Sequence, residues 1–162
     1  MVKEGFSYGE VEDLLAAVLE IRPEGRQQLR ARLRHLRNLG VPNLPKPGSG
    51  IKLRYTKRQA FEMLIAVGLE TVGQTPRKAA ALSLQVSEGW YTNQVEINPS
   101  GFVIVTPENQ STGIPGVEGF VQSYLRMGIS ELQFNGHDAP LIYSSIDLGK
   151  CWKRLNEVIE GR

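Results

Sequence analysis

The chain has a single cysteine, Cys151, and only two histidines in 162 residues. One thiol makes neither an internal disulfide nor a cysteine-based zinc site. His35 and His137, about 100 residues apart, have no recognisable ligand spacing. No run of about 18 apolar residues exists, so no segment reads as a membrane span. Met1–Glu20 has no long apolar block and does not read as a secretory leader. A reducing compartment, by default the cytoplasm, with no membrane association is the expectation. Signals for catalysis are also missing. His137-Asp138 with Ser144 and Ser145 lacks a Gly-x-Ser-x-Gly elbow. Gly48-Ser49-Gly50 lacks the Lys-Ser/Thr that completes a phosphate loop. No enzyme activity, cofactor or metal is expected.

The strongest local absence is of acids. Arg22 to Arg58 contains 11 basic residues and one acid, Glu24. Residues 1–81 hold 14 Lys/Arg against 8 Asp/Glu, and residues 82–162 hold 5 against 9, so the net charge of +2 conceals two halves of opposite sign. A field of that density attracts polyanions, whereas an ordinary solvated face mixes its signs. Nucleic acid is the expected partner.

Ser7-Tyr8-Gly9-Glu10 has the form of a capping box. Val11, Leu14, Leu15, Val18 and Leu19 then follow helical spacing over about 8–20. A second helix opens at Pro23, buries Leu29, Leu33, Leu36 and Leu39, and stops at Gly40 and Pro42. On it Arg26, Arg30, Arg34 and Arg37 fall within a sector of about 80° beside the leucine stripe. Val41–Gly50, with three prolines and two glycines, excludes helix, and Ile51–Tyr55 alternates apolar and basic residues as a short strand would. Thr56-Lys57-Arg58-Gln59 is a second capping box. It opens a helix that ends at Gly73, and Thr75-Pro76 opens another.

Beyond Ser87–Gln94, Lys and Arg nearly vanish. Strands are expected at Val95–Ile97, Phe102–Val105, Leu132–Phe134 and Leu141–Ile146, a short helix at Val117–Leu125, and a last helix capped by Asp147 and carrying Cys151, Trp152, Leu155 and Ile159. The aromatics here, Trp90, Tyr91, Phe102, Phe120, Tyr124, Phe134, Tyr143 and Trp152, read as a core, a small-ligand pocket or a dimer interface.

Residues Leu36-Arg37-Asn38-Leu39-Gly40-Val41-Pro42, Gly50-Ile51-Lys52-Leu53-Arg54-Tyr55-Thr56 and Val72-Gly73-Gln74-Thr75-Pro76-Arg77-Lys78-Ala79 resemble, in order and type, the DNA-binding module of the MerR-type winged helix-turn-helix family. The resemblance spans about residues 6–86. It implies a winged helix-turn-helix domain at 1–87; with the strands and helices read beyond it, the chain is expected to be α+β, with a small α+β dimerisation or sensory domain at 88–162. The long coiled coil through which that family dimerises has no counterpart here, because residues 87–162 lack sustained heptads.

The expected function is sequence-specific binding of double-stranded DNA by a transcriptional regulator, acting as a homodimer. A protein partner or small ligand would bind at the C-terminal domain. An excisionase-like DNA-bending factor and a protein-interaction adaptor with a basic face are the alternatives. Arg26, Gln27, Arg30 and Arg34 are expected at base edges. Lys46, Lys52, Arg54, Lys57 and Arg58 are expected at phosphates. Arg37 either joins them or pairs internally with Glu62 or Glu70. Tyr55 either packs beneath the wing or meets a phosphate.

Overall fold

The computed structural model describes residues 5–44, 53–92, 101–105, 121–125 and 144–161. Among these the chain is mostly helical. The order is α1 (Tyr8–Val18), a 3-10 turn (Pro23–Gly25), α2 (Arg26–Asn38), α3 (Lys57–Thr71), α4 (Pro76–Thr92), β1 (Gly101–Val105), β2 (Val121–Leu125), β3 (Ser144–Asp147) and α5 (Leu148–Glu160). No described helix is long and apolar enough to cross a membrane.

Three of the helices, α1, α3 and α5, begin where side chains satisfy the free N–H groups of a first turn. Ser7 and Glu10 form a reciprocal capping box on α1, and Thr56 and Gln59 form one on α3. The Asp147 carboxylate accepts from Lys150 N at 2.8 Å on α5. Pro23 does not open α2 directly. It opens the 3-10 turn, and α2 follows from Arg26. Gly40 (φ +92°) and Gly73 (φ +97°) take the left-handed conformation just past α2 and α3, where an L side chain would be strained. Past α1 that conformation falls to Glu20 (φ 52°), whose carboxylate pairs with Arg154 of α5.

One hydrophobic core joins the helices. Leu14, Leu15, Leu33, Leu36, Phe61, Leu64, Ala79 and Trp90 all lie within it, and Leu148, Trp152 and Leu155 of α5 complete it. Phe61 stands at its centre, with its ring centroid 5.5 Å from Trp90 and 5.0 Å from Trp152, in the tilted and edge-on arrangements that aromatic quadrupoles favour. Trp90, fully buried, carries α4 past the composition change at Ser87. The N-terminal segment is tied to the stretch before α3 by an antiparallel bridge, Phe6 N to Tyr55 O at 2.8 Å and Tyr55 N to Phe6 O at 2.7 Å.

The three strands form an antiparallel sheet ordered β2-β1-β3. Val121–Leu125 therefore corrects the helix expected there. Spacing over so few residues fits either period, and pairing along β1, from Gly101 opposite Leu125 to Val105 opposite Val121, decides for the strand. Strand β3 runs straight into α5 and packs its Ile146 over Gly68 of α3, where a Cβ would lie 3.2 Å from Ile146 Cδ1. The expected strands at Val95–Ile97 and Leu132–Phe134, and the Pro/Gly-rich 45–50 tip with Ile51 and Lys52, lie outside the described residues.

Candidate nucleic-acid interface

Helix α2 buries Leu29, Leu33 and Leu36 and is braced on both flanks by ion pairs. On the α1 side, Arg26 NH1 meets Asp13 at 2.7 Å. Arg30 grips Glu12 in a fork, with Nε 2.9 Å from both carboxylate oxygens and NH2 2.7 Å from one. Such bidentate geometry strengthens and orients a guanidinium–carboxylate pair. On the α3 side, Arg32 Nε donates to Glu70 at 2.9 Å, while its NH2 reaches Val67 O and Thr71 Oγ1 at 3.3 Å each.

The arginine row expected to face a ligand is thus divided. Arg26 and Arg30 are engaged by acids of α1. Arg34 is exposed and has no ion pair among the described residues. Arg37 pairs with neither Glu62 nor Glu70. Its guanidinium lies over the Tyr8 ring, 4.8 Å from the centroid. Sequence reasoning missed the bracing because Arg30 and Glu12 are 18 residues apart. The available signal was position: Glu12 lies about 60° from Leu15 around α1, on the rim of its apolar stripe, where it can meet a neighbouring helix.

Opposite the leucines, α2 presents Gln27, Gln28, Ala31, Arg34, His35 and Asn38, all exposed, over a sector of about 120°. Helix α2 contributes no acid to this face, and the one beside Ala31 and His35, Glu70 of α3, is paired with Arg32. Amide, guanidinium and imidazole groups here supply donors and acceptors, and Ala31 supplies a small apolar contact. These are the groups that discriminate base edges in a major groove. Of the six, only Gln27 and Arg34 belong to the site expected from the arginine row. Gln28, Ala31, His35 and Asn38 join it because the helix face, not charge, defines the surface.

The other expected contacts scatter. Lys57 Nζ sits 4.3 Å from the centroid of the Trp152 ring. Arg58 bonds Glu62 at 3.2 Å, pairs with Glu88 and lies over Tyr91 at 4.8 Å, and its ionisation is pushed further up by hydrogen bonds to Glu88 and Glu62. Both cations at the start of α3 are therefore turned toward the aromatic cluster. Tyr55 is buried, with its ring 6.2 Å from that of Tyr8. Lys46 and Lys52 lie outside the described residues. Arg54 stays 61% exposed, with one long contact to Gly5 O at 3.5 Å and a 3.8 Å approach to Glu10.

Arg54 and Arg37 border one open cleft of about 630 Å³, lined also by Ser7, Tyr8, Glu10, Leu53 and Tyr55. The Phe6–Tyr55 bridge builds this cleft by drawing the start of α1 against the residues that precede α3.

Among the described residues no group of three His, Cys, Asp or Glu side chains could hold a metal ion. Cys151 is half-buried. His137 lies outside the described residues. No family model matches this chain, and neither a curated protein nor a solved structure is significantly similar to it.

Proposed function

We propose that this protein is a sequence-specific regulator that binds double-stranded DNA with the outward face of α2 in the major groove, in the manner of a MerR-type winged helix-turn-helix module. One observation carries the reading: α2 is fixed to its neighbours by ion pairs on both flanks, and the polar face it presents carries no acid of its own. A reading head must be rigid to discriminate bases, and bracing by Glu12 and Glu70 provides that rigidity.

In this reading Arg34, Gln27 and Asn38 read bases, with Gln28 and His35 at the margin of the contact. Arg26 and Arg30 hold the helix in place more than they contact DNA, which lowers the number of phosphates neutralised. A protein using two paired modules gains the affinity that one small surface lacks, so the working form is a homodimer acting in the cytoplasm. The C-terminal strands and α5 serve dimerisation or the sensing of a partner or small ligand.

Anisotropy titration of a mixed-sequence duplex at 50 and 200 mM salt tests the reading. Binding that weakens with salt with a log–log slope of about −3 to −5 supports it. No binding at low salt contradicts it and favours an adaptor whose basic face meets an acidic protein. Binding accompanied by a large duplex bend, read by circular-permutation mobility, favours the excisionase-like alternative.

A further inference from the structure

The cleft is bordered by two cations, Arg37 and Arg54, that no carboxylate holds closely. Arg26, Arg30, Arg32 and Arg58 each meet a carboxylate within 3.2 Å, whereas Arg37 meets an aromatic face and Arg54 has only long contacts. The acid in the cleft, Glu10, is turned to the backbone, accepting Ser7 N–H at 2.7 Å within the capping box. Tyr8 supplies a third group. Its hydroxyl is shielded from solvent and has no hydrogen-bond partner among the described residues. Leaving such a group unsatisfied costs about 1–3 kcal/mol, so it takes a partner, whether a water or a ligand oxygen. Burial raises the Tyr8 pKa, so the hydroxyl keeps its proton and can donate.

We propose that this cleft is a phosphate-binding site, in which Arg37 and Arg54 clamp the phosphate oxygens and the Tyr8 hydroxyl donates to one of them. The source of the phosphate is taken to be the duplex backbone, and in that respect the inference rests on the DNA-binding reading. The cleft lies where α1, the C-terminal turn of α2 and the residues before α3 meet, so a phosphate held there would fix the height of α2 over the groove. Two guanidiniums and a neutral donor suit a phosphodiester, which offers oxygens but few protons.

Tyr8→Phe, Arg37→Gln and Arg54→Gln test this, with Lys153→Gln on α5, exposed and outside both the cleft and the α2 face, as a control. The probes are a mixed-sequence duplex and, separately, inorganic phosphate followed by calorimetry. Each arginine variant should weaken duplex binding about tenfold or more, regardless of sequence, and make the log–log salt slope shallower by about 0.9. Tyr8→Phe should weaken binding about three- to tenfold with the slope unchanged, and leave the melting temperature unchanged or higher because it deletes an unsatisfied hydroxyl.

Wild-type duplex binding that all three variants retain in full would overturn the cleft and leave the DNA-binding reading standing. Phosphate binding lost in the variants, from a protein that holds no duplex, would keep the cleft and overturn the DNA-binding reading. Binding of neither probe would overturn both.

Discussion

Arg30 holds both carboxylate oxygens of Glu12 with a single Nε, at 2.9 Å to each, while Glu12 is 7% exposed and Arg30 is 58% exposed. The two ends of this pair therefore differ in what their removal leaves behind. Glu12→Gln leaves a guanidinium that water can solvate. Arg30→Gln leaves a carboxylate in a nearly closed site with its charged partner gone. Melting temperatures should fall in the order wild type, Glu12→Gln, Arg30→Gln, and the double variant should resemble Glu12→Gln. Non-specific duplex affinity should rise in Glu12→Gln, which removes an acid beside the basic helix, and fall in Arg30→Gln. Melting of both single variants at the wild-type temperature would show that the pair does not brace α2.

The helical half was largely legible in sequence, and for identifiable reasons. Ser7/Glu10 and Thr56/Gln59 are local devices, complete within four residues, and each starts its helix as expected. Gly40 and Gly73 stop theirs through backbone conformation alone. What could not be read was tertiary: which acids meet Arg26, Arg30 and Arg32, and that Lys57 turns onto Trp152 nearly a hundred residues away. Val121–Leu125 failed for a different reason, since only its pairing with β1 separates strand from helix in so short a segment. Counting arginines overstated the free charge of the basic region, since Arg26, Arg30 and Arg32 each meet an acid.

Trp152 ties α5 to α3 and α4 through Phe61 and Tyr91, with the Tyr91 ring 5.7 Å away and edge-on. Trp152→Ala should destabilise the protein by about 3–5 kcal/mol in urea, the usual cost of emptying a large aromatic site. Trp90 remains as a fluorescent reporter, and its transition should coincide with loss of helical circular dichroism. A Trp90 transition unmoved by the substitution would mean that α5 contributes nothing to the core around α3 and α4.

Burial, reinforced by the nearby Asp147, pushes the Cys151 thiol up to about 11 from an ordinary value of 9.0. At pH 8 the folded protein then holds roughly one thiolate in a thousand, so alkylation should run about a hundredfold slower than in urea. The linkage has a definite sign. Below pH 9 the thiol is protonated in both states and contributes no pH dependence. Between pH 9 and 11 the unfolded thiol ionises while the folded one does not, so stability declines as pH rises. Cys151→Ala should reduce that decline. Fast native alkylation at pH 8 would show that the thiol is not held in its neutral form.

The outward face of α2 is tested most directly by sequencing the duplexes retained from a randomised pool by wild type, Gln27→Ala and Arg34→Ala at one salt concentration. Wild type should recover a motif, with half-sites about one helical turn apart if two modules bind together. Each variant should recover the same motif with preference lost at one position per half-site, a discrimination of about 1–3 kcal/mol. A wild-type motif that both variants reproduce at every position would contradict the assignment of base reading to this face.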